Sequence, residues 1–386
     1  MSGPAKKLLV VVASLGNGGA EHALLNLLSR LDRGAFSPAV LCLGGEGAMA
    51  ARYRTAGIPV RALGMRPGRW PLGQLSAARA AMREMAPDLL LGWMYHGNLA
   101  AAVLAGALPR SPKLPLAWAI RATPDHAHSH SLFTGGVIQA SRLFLRKVDL
   151  ILNVSSRSAA LMQSRYGYPA ARTVVLPNGV DTARFAPQAL ARAVVRAELG
   201  LSPATPLFGM VARWHPVKNH ALFVRAAARC VQAIPAAQFV LVGEGCETAN
   251  FDLLDLLDAA GMRDRFHLVG AQRDVERWNA AFDVAVLSSS SEAFPNVLVE
   301  AMSCGTPVVS TDVGDAREIV ADTGFVVSVD DEVAMGTAMA TALAERSTRG
   351  AAARARVLER YDLTQQAARF ADILARLGTP AAPTNG

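Results

Sequence analysis

The stretch EAFPNVLVE places Glu292 and Glu300 on either side of a junction, where a run of serines at residues 288 to 291 gives way to helical periodicity ending at Gly305-Thr306-Pro307. Glu292 belongs on the loop and Glu300 one to two turns into the helix, so both can face one crevice, with the free N–H groups around Asn296 and Val297 between them. The serine hydroxyls are expected to cap that helix, and Pro295 suits its first turn. Carboxylates accept from sugar hydroxyls and helix N-terminal amides take phosphate oxygens. Together they suit a ligand with hydroxyl-bearing ends and an anionic middle, as in a nucleotide sugar.

Two further stretches have suitable chemistry. In VARWHPVKNH, Arg213 and Lys218 fall between a strand and a helix, where cations oppose the helix dipole unless an anion offsets them. In SLGNGGAEHALL, Gly16, Gly18 and Gly19 fall between the first strand and the first helix, where glycine lets a backbone approach a ligand closely. The third glycine of a dinucleotide fingerprint is missing, and the chain contains no P-loop.

The elements that must position these loops are legible as a rhythm. Uncharged apolar runs alternate with helical patterns from KKLLVVVAS to DLLLGW and begin again after residue 204 with PLFGMVA, QFVLVG, DVAVLS and TPVVST. Such alternation describes parallel sheets covered on both faces, here two in tandem, with ligands at the carboxyl ends of the strands. The expected division is residues 1–185, residues 186–360, a C-terminal amphipathic helix at 361–378 packing back on the first domain, and a disordered tail at 379–386. The prolines 187, 203 and 206 mark the boundary.

Composition narrows the class. The 386 residues carry a net charge of +8, unevenly distributed: residues 1 to 185 sum to +13 and the remainder to −5. A basic half suggests nucleic acid or an anionic membrane surface. No zinc-finger spacing or aromatic-studded RNA-binding strand supports nucleic acid, so the membrane surface is preferred. Arg66 and Arg69 around Trp70, and Arg146 with Lys147 in FLRKVDL, are the expected contacts. The uncharged stretch at residues 89 to 109 is interrupted by His96, Gly97 and Asn98 and reads as a buried strand, a polar turn and a helix rather than a span. Four cysteines without a CxxC pair, and Lys6-Lys7 leading straight into the first strand, point to a reduced cytoplasmic compartment.

These residues resemble the family 4 retaining glycosyltransferases of the GT-B fold, the group 1 enzymes of bacterial surface polysaccharide synthesis. EAFPNVLVEAMSCGTPVV is similar to their E-x7-E element and VARWHPVKN to their Arg-x4-Lys element. SLGNGGAEHALLNL, LPNGVDTARF and QFVLVGEG follow the family in order over about residues 6 to 378. The resemblance implies that Glu300 holds ribose hydroxyls, Glu292 a hydroxyl of the transferred sugar, and Arg213 with Lys218 the diphosphate. It further implies that backbone amides of Ala293, Phe294, Asn296, Val297, Gly18 and Gly19 contact donor oxygens, and that residues 270 to 274, with Gly270 and Arg273, lie near the base. The activity implied is metal-independent, retaining transfer from a nucleotide-diphosphate sugar to a lipid-linked or polysaccharide acceptor, cytoplasmic or peripheral on the inner face of the plasma membrane.

No Asp-x-Asp metal motif is present, and the cluster around Asp125, His126, His128 and His130 reads as a polar loop. Many family members carry a histidine after the fifth strand, where this chain has Arg121. His96, on the loop after the preceding strand, is the alternative contact for the reacting sugar. A nucleotide-sugar epimerase of the same architecture is the rival function, and a dinucleotide oxidoreductase a more distant one.

Overall fold

The structure, a computed structural model, describes residues 4–65, 72–106, 114–123 and 132–377. Arg66, Arg69 and Trp70, the cluster at residues 125 to 130, and the tail at 379–386 lie outside the described residues. The chain divides into two compact units, one formed by Met1–Gly179 with Leu363–Gly386 and the other by Val180–Asp362. The first division precedes Pro187, and the linker is not simple coil: ALARAVVRAE forms the helix Ala189–Glu198, which belongs to the second unit.

In the first unit, β1 (Lys6–Val12), β2 (Phe36–Cys42), β3 (Val60–Ala62), β4 (Leu89–Trp93), β5 (Leu116–Ile120), β6 (Leu150–Asn153) and β7 (Thr173–Val175) form one parallel sheet in the order β3-β2-β1-β4-β5-β6-β7. Because both faces are covered, β1, β4 and β5 are continuous apolar runs rather than alternating ones. The C-terminal helix Leu363–Arg376 sets Ala367, Phe370 and Leu374 on one stripe, and these join Leu24 and Leu28 of the helix Gly19–Ser29 in one core.

The second unit repeats the plan. β8 (Leu207–Val211), β9 (Gln238–Val242), β10 (Phe266–Gly270), β11 (Val284–Leu287), β12 (Val308–Thr311) and β13 (Phe325–Val327) lie in the order β10-β9-β8-β11-β12-β13, all parallel. Its core holds Phe239 stacked on Phe266 at 5.0 Å and on Phe208 at 5.5 Å. Such pairs add about 0.5–1.5 kcal/mol each beyond the area they bury. In both units the strand order reverses beside the first strand, between β1 and β4 and between β8 and β11. Crevices at the carboxyl ends of strands form where the order reverses, so the loops after these four strands are the ones placed to hold ligands.

Candidate functional site

The two loops flanking the reversal point of the second sheet are tied to each other. After β8 the chain makes a one-turn 3-10 helix, Pro216–Lys218, capped by the His215 side chain, which accepts from the Val217 N–H. Asn219 then takes a left-handed conformation, φ 49°, and its side chain caps the helix His220–Ala233 by accepting from Leu222 N–H. Because Asn219 does the capping, Lys218 is left to project sideways toward the loop after β11. There its Nζ donates to Glu292 Oε1 at 2.5 Å, and both side chains are largely buried, 24% and 17% exposed. Ser289 Oγ donates to the same oxygen at 2.9 Å.

The serine run plays a different part from the one expected of it. Ser288 Oγ donates to Lys218 O at 2.9 Å and Ser290 N–H to Val217 O at 2.8 Å, so these residues lace the two loops together. The helix Asn296–Ser303 begins at Pro295 with no side-chain cap. Capping by Ser288 to Ser291 is therefore corrected: the hydroxyls of Ser288 and Ser290 are spent on neighbouring carbonyls and that of Ser289 on the Glu292 carboxylate, and no side chain caps the helix N-terminus.

Behind this loop, Phe294 is buried and tilted against Tyr361 at 5.8 Å, and Thr311 Oγ1 donates to Ser289 O at 2.6 Å. Gly314, at φ 50°, passes so close that a Cβ there would lie 2.4 Å from Ala293 O and 2.6 Å from Glu292 O. No other residue fits that position without moving the Glu292 backbone.

Glu300 lies on the second turn of the helix, partly buried, and burial pushes its carboxyl up to about 7, with Glu276 adding to the rise and Arg184 opposing it. Arg184 was not anticipated. It comes from the segment after Val180, donates to Glu276 Oε2 at 2.8 Å and to Arg273 O at 3.2 Å, and acts electrostatically on Glu300. Its hydrogen bond to Glu276 holds its pKa above the ordinary value. This brings Arg273 and Glu300 into one neighbourhood. Arg213 is exposed and makes no ion pair among the described residues. Gly270, at φ 67°, donates to Cys246 O and accepts from Gly243 N–H, which joins the turns after β9 and β10.

The first unit holds the remaining predicted residues. Gly18 is the N-cap and Gly19 the first residue of the helix Gly19–Ser29. Glu21 folds back over this turn, so that a Cβ on Gly18 would lie 2.5 Å from its Oε2, and burial pushes the Glu21 carboxyl above its usual range. The glycine turn thus already has a carboxylate beside it. The sequence signal was there, an acid in the first helical turn, and went unused.

His96 is not on a loop. The helix Met94–Ala105 starts directly after Trp93, Met94 making the turn alone at φ 64°, and His96 stacks on Phe133 at 5.4 Å in the first turn. The expected polar turn fails because Gly97 and Asn98 serve packing instead. A Cβ on Gly97 would lie 2.4 Å from Val11 O, and buried Asn98 donates to Ala119 O and accepts from Ala119 N–H. Among the described residues no group of three or more His, Cys, Asp or Glu is placed to hold a metal ion.

Two parallel-sheet units of this kind match the GT-B fold, and comparison gives the class, a glycosyltransferase. Residues 17–184 match the description "Glycosyltransferase Family 4" and residues 205–345 match "Glycosyl transferases group 1". The lipopolysaccharide core biosynthesis mannosyltransferase LpsB of Rhizobium meliloti is 30% identical over 60% of this chain and 67% of its own length. The putative glycosyltransferase EpsF of Bacillus subtilis is 26% identical over 81% and 80%. Crystal structures of Anabaena HepE superpose with a TM-score of 0.82 in complex with UDP, covering 96% of this chain and 100% of that one at 23% identity, and 0.80 with UDP-glucose. The chain belongs to the group 1, family 4 glycosyltransferases and is a transferase enzyme.

Proposed function

We propose that the protein is a metal-independent, retaining glycosyltransferase that moves a sugar from a nucleoside-diphosphate sugar to a lipid-linked or polysaccharide acceptor of a cell-surface glycan. The observation that carries the reading is the Lys218–Glu292 contact across the reversal point, with Glu300 on the adjoining helix. The solved HepE complexes with UDP and UDP-glucose support a nucleotide-sugar donor, and the LpsB and EpsF relatives support glycan synthesis.

In this reading Lys218 and Arg213 take the diphosphate, aided by the uncapped helix N-terminus with the amides of Ala293, Phe294, Asn296 and Val297. Charge builds on the diphosphate as the glycosidic bond to the donor breaks, and cations fixed beforehand lower that barrier. Glu292 accepts a hydrogen bond from a hydroxyl of the transferred sugar, and Glu300 accepts from the ribose hydroxyls. Residues 270 to 274 border the base. The family roles of Gly18 and Gly19 toward donor oxygens, and of His96 toward the reacting sugar, belong to the first unit and remain part of the proposal. Metal independence rests on the two cations filling the role that a divalent ion plays elsewhere, and retention rests on family membership.

Docking on an anionic membrane face is part of the proposal. It is supported by the +13 charge of residues 1 to 185 and by the segment Arg142–Lys147, where Leu143 is 82% exposed beside Arg142, Arg146 and Lys147. Among the described residues no helix is long and apolar enough to cross a membrane. The test is transfer from a panel of nucleotide sugars by the parent, Glu292→Ala and Glu300→Ala. Loss of turnover in both, with the larger loss of nucleotide affinity in Glu300→Ala, is expected. Parental rates in both would remove the site assignment, and conversion of donor without any acceptor would favour an epimerase.

A further inference from the structure

Arg121 follows β5 directly and is 9% exposed. Its Nη1 donates to Leu176 O at 3.0 Å, its Nη2 donates to Asn178 Oδ1, and its guanidinium lies 5.1 Å from the Trp93 ring centroid. The Nε is buried without a partner, and no carboxylate pairs with this cation among the described residues. Burial alone pulls its pKa down to about 9.

A buried charge without a counter-charge is costly, by several kcal/mol in general terms. Among the described residues the other buried arginine has that cost answered by a carboxylate. Arg196, 2% exposed, donates to Asp283 Oδ2 at 2.6 Å, and Arg192 takes the other oxygen at 2.5 Å. Arg121 has no such partner. Two carbonyl-type acceptors could equally be met by a neutral amide, so holding Leu176 and Asn178 does not account for the charge.

Its place in the fold supplies the reason. Arg121 lies at the carboxyl edge of the first sheet, on the ring of Trp93, which ends β4. The indole N–H of Trp93 donates to Ala20 O at 3.1 Å, in the first turn of the helix Gly19–Ser29. The unpaired cation is thus one aromatic ring from the glycine turn, on the edge where sheets of this order receive ligands.

We propose that Arg121 is the counter-charge for a phosphate group of a bound substrate, received at the carboxyl edge of the first unit. Anion binding itself does not depend on the transferase reading, and only the identity of the substrate does. Two substrates can carry such a phosphate, the donor and a phosphorylated acceptor.

The experiment uses the full chain in the Arg213→Ala/Lys218→Ala background, which removes the cations of the second unit, with inorganic phosphate titrated at constant ionic strength. Affinity is read by calorimetry and Tm by thermal melting. Adding Arg121→Gln is expected to leave Tm without phosphate unchanged or higher, since an uncompensated charge is gone, and to weaken phosphate binding about tenfold or more. Arg121→Lys, which keeps charge without the fork, should lose less. In otherwise parental protein, an unchanged nucleotide-sugar Kd in Arg121→Gln assigns the phosphate to the acceptor, and a raised Kd assigns it to the donor. Equal phosphate affinity with and without Arg121→Gln overturns the proposal, as does a lower Tm in both Arg121 variants with phosphate binding intact, which would mark a structural strap. Either result would leave the donor site untouched if Lys218→Ala still weakened nucleotide-sugar binding.

Discussion

Nucleotide-sugar affinity should fall as pH drops below about 7, because of Glu300. Its carboxyl stands at about 7 against an ordinary 4.5, raised first by burial and then by Glu276, with Arg184 pulling the other way. In the proposed role Glu300 accepts ribose hydroxyls most strongly as a carboxylate, so binding should draw its pKa down and release a proton wherever the free protein holds one. Affinity is therefore full above about 7 and is lost by about tenfold per pH unit below it, until the lower pKa of the complex is reached. The intact donor suits the measurement, since its pyrophosphate diester has no group titrating near 7. Calorimetry at pH about 6 in two buffers of different ionisation enthalpy should report close to one proton released, against almost none at about 8.5. Glu300→Gln should bind more weakly at high pH and lose the slope.

The same shift has a sign for stability. A folded value above the unfolded one means the unliganded fold is favoured below about 4.5 and loses that advantage as pH rises through about 7, by at most about 3 kcal/mol. Affinity independent of pH, or a slope surviving in Glu300→Gln, would refute the reasoning.

Neutralising Lys218 or Arg213 should cost roughly 2–4 kcal/mol of transition-state stabilisation in kcat/KM, as for removal of one preorganised donor. Chelator should leave the parent active, and inhibition reversed by a divalent ion would contradict the metal-free route. Gly314→Ala should raise the donor KM by pushing on the Glu292 carbonyl, and a KM unchanged under steady-state assay would show the loop to be free of that contact. Vesicle co-sedimentation should show binding to anionic but not neutral lipid, weakened by salt, by Trp70→Ala and by Arg146→Glu, and no pelleting at low salt would remove the membrane from the reading.

What sequence could show was local. Two glutamates spaced across a loop-to-helix junction, and two cations before another helix, are legible because each pair lies within one loop and the helix beside it. The bond between Lys218 and Glu292 spans 74 positions and exists only because β8 and β11 are neighbours. Periodicity cannot state that order. Arg184 was hidden for a related reason: it lies in a segment that reads as linker, and only folding sets it beside Glu276 and Glu300. The serines misled because a hydroxyl before a helix is the usual sign of a cap, whereas here nearer carbonyls compete for it. His96 misled because Gly97 and Asn98 look like turn residues but are the close-approach and hydrogen-bonding residues of a buried helix start.

The Lys218–Glu292 bond also gives Lys218 an anionic partner from its own chain. An ammonium has three donors, so on the proposed reading a diphosphate oxygen at Lys218 comes to lie beside the Glu292 carboxylate, and a ligand that gives Glu292 no hydroxyl leaves two negative groups together. A sugar-bearing diphosphate offers a hydroxyl in exchange, while a free nucleotide does not. On the proposed reading the arrangement favours a sugar-bearing diphosphate over the same nucleotide without its sugar. On that reading, transfer of the sugar takes the hydroxyl from Glu292 and leaves its carboxylate beside the diphosphate, which favours departure of the spent nucleotide.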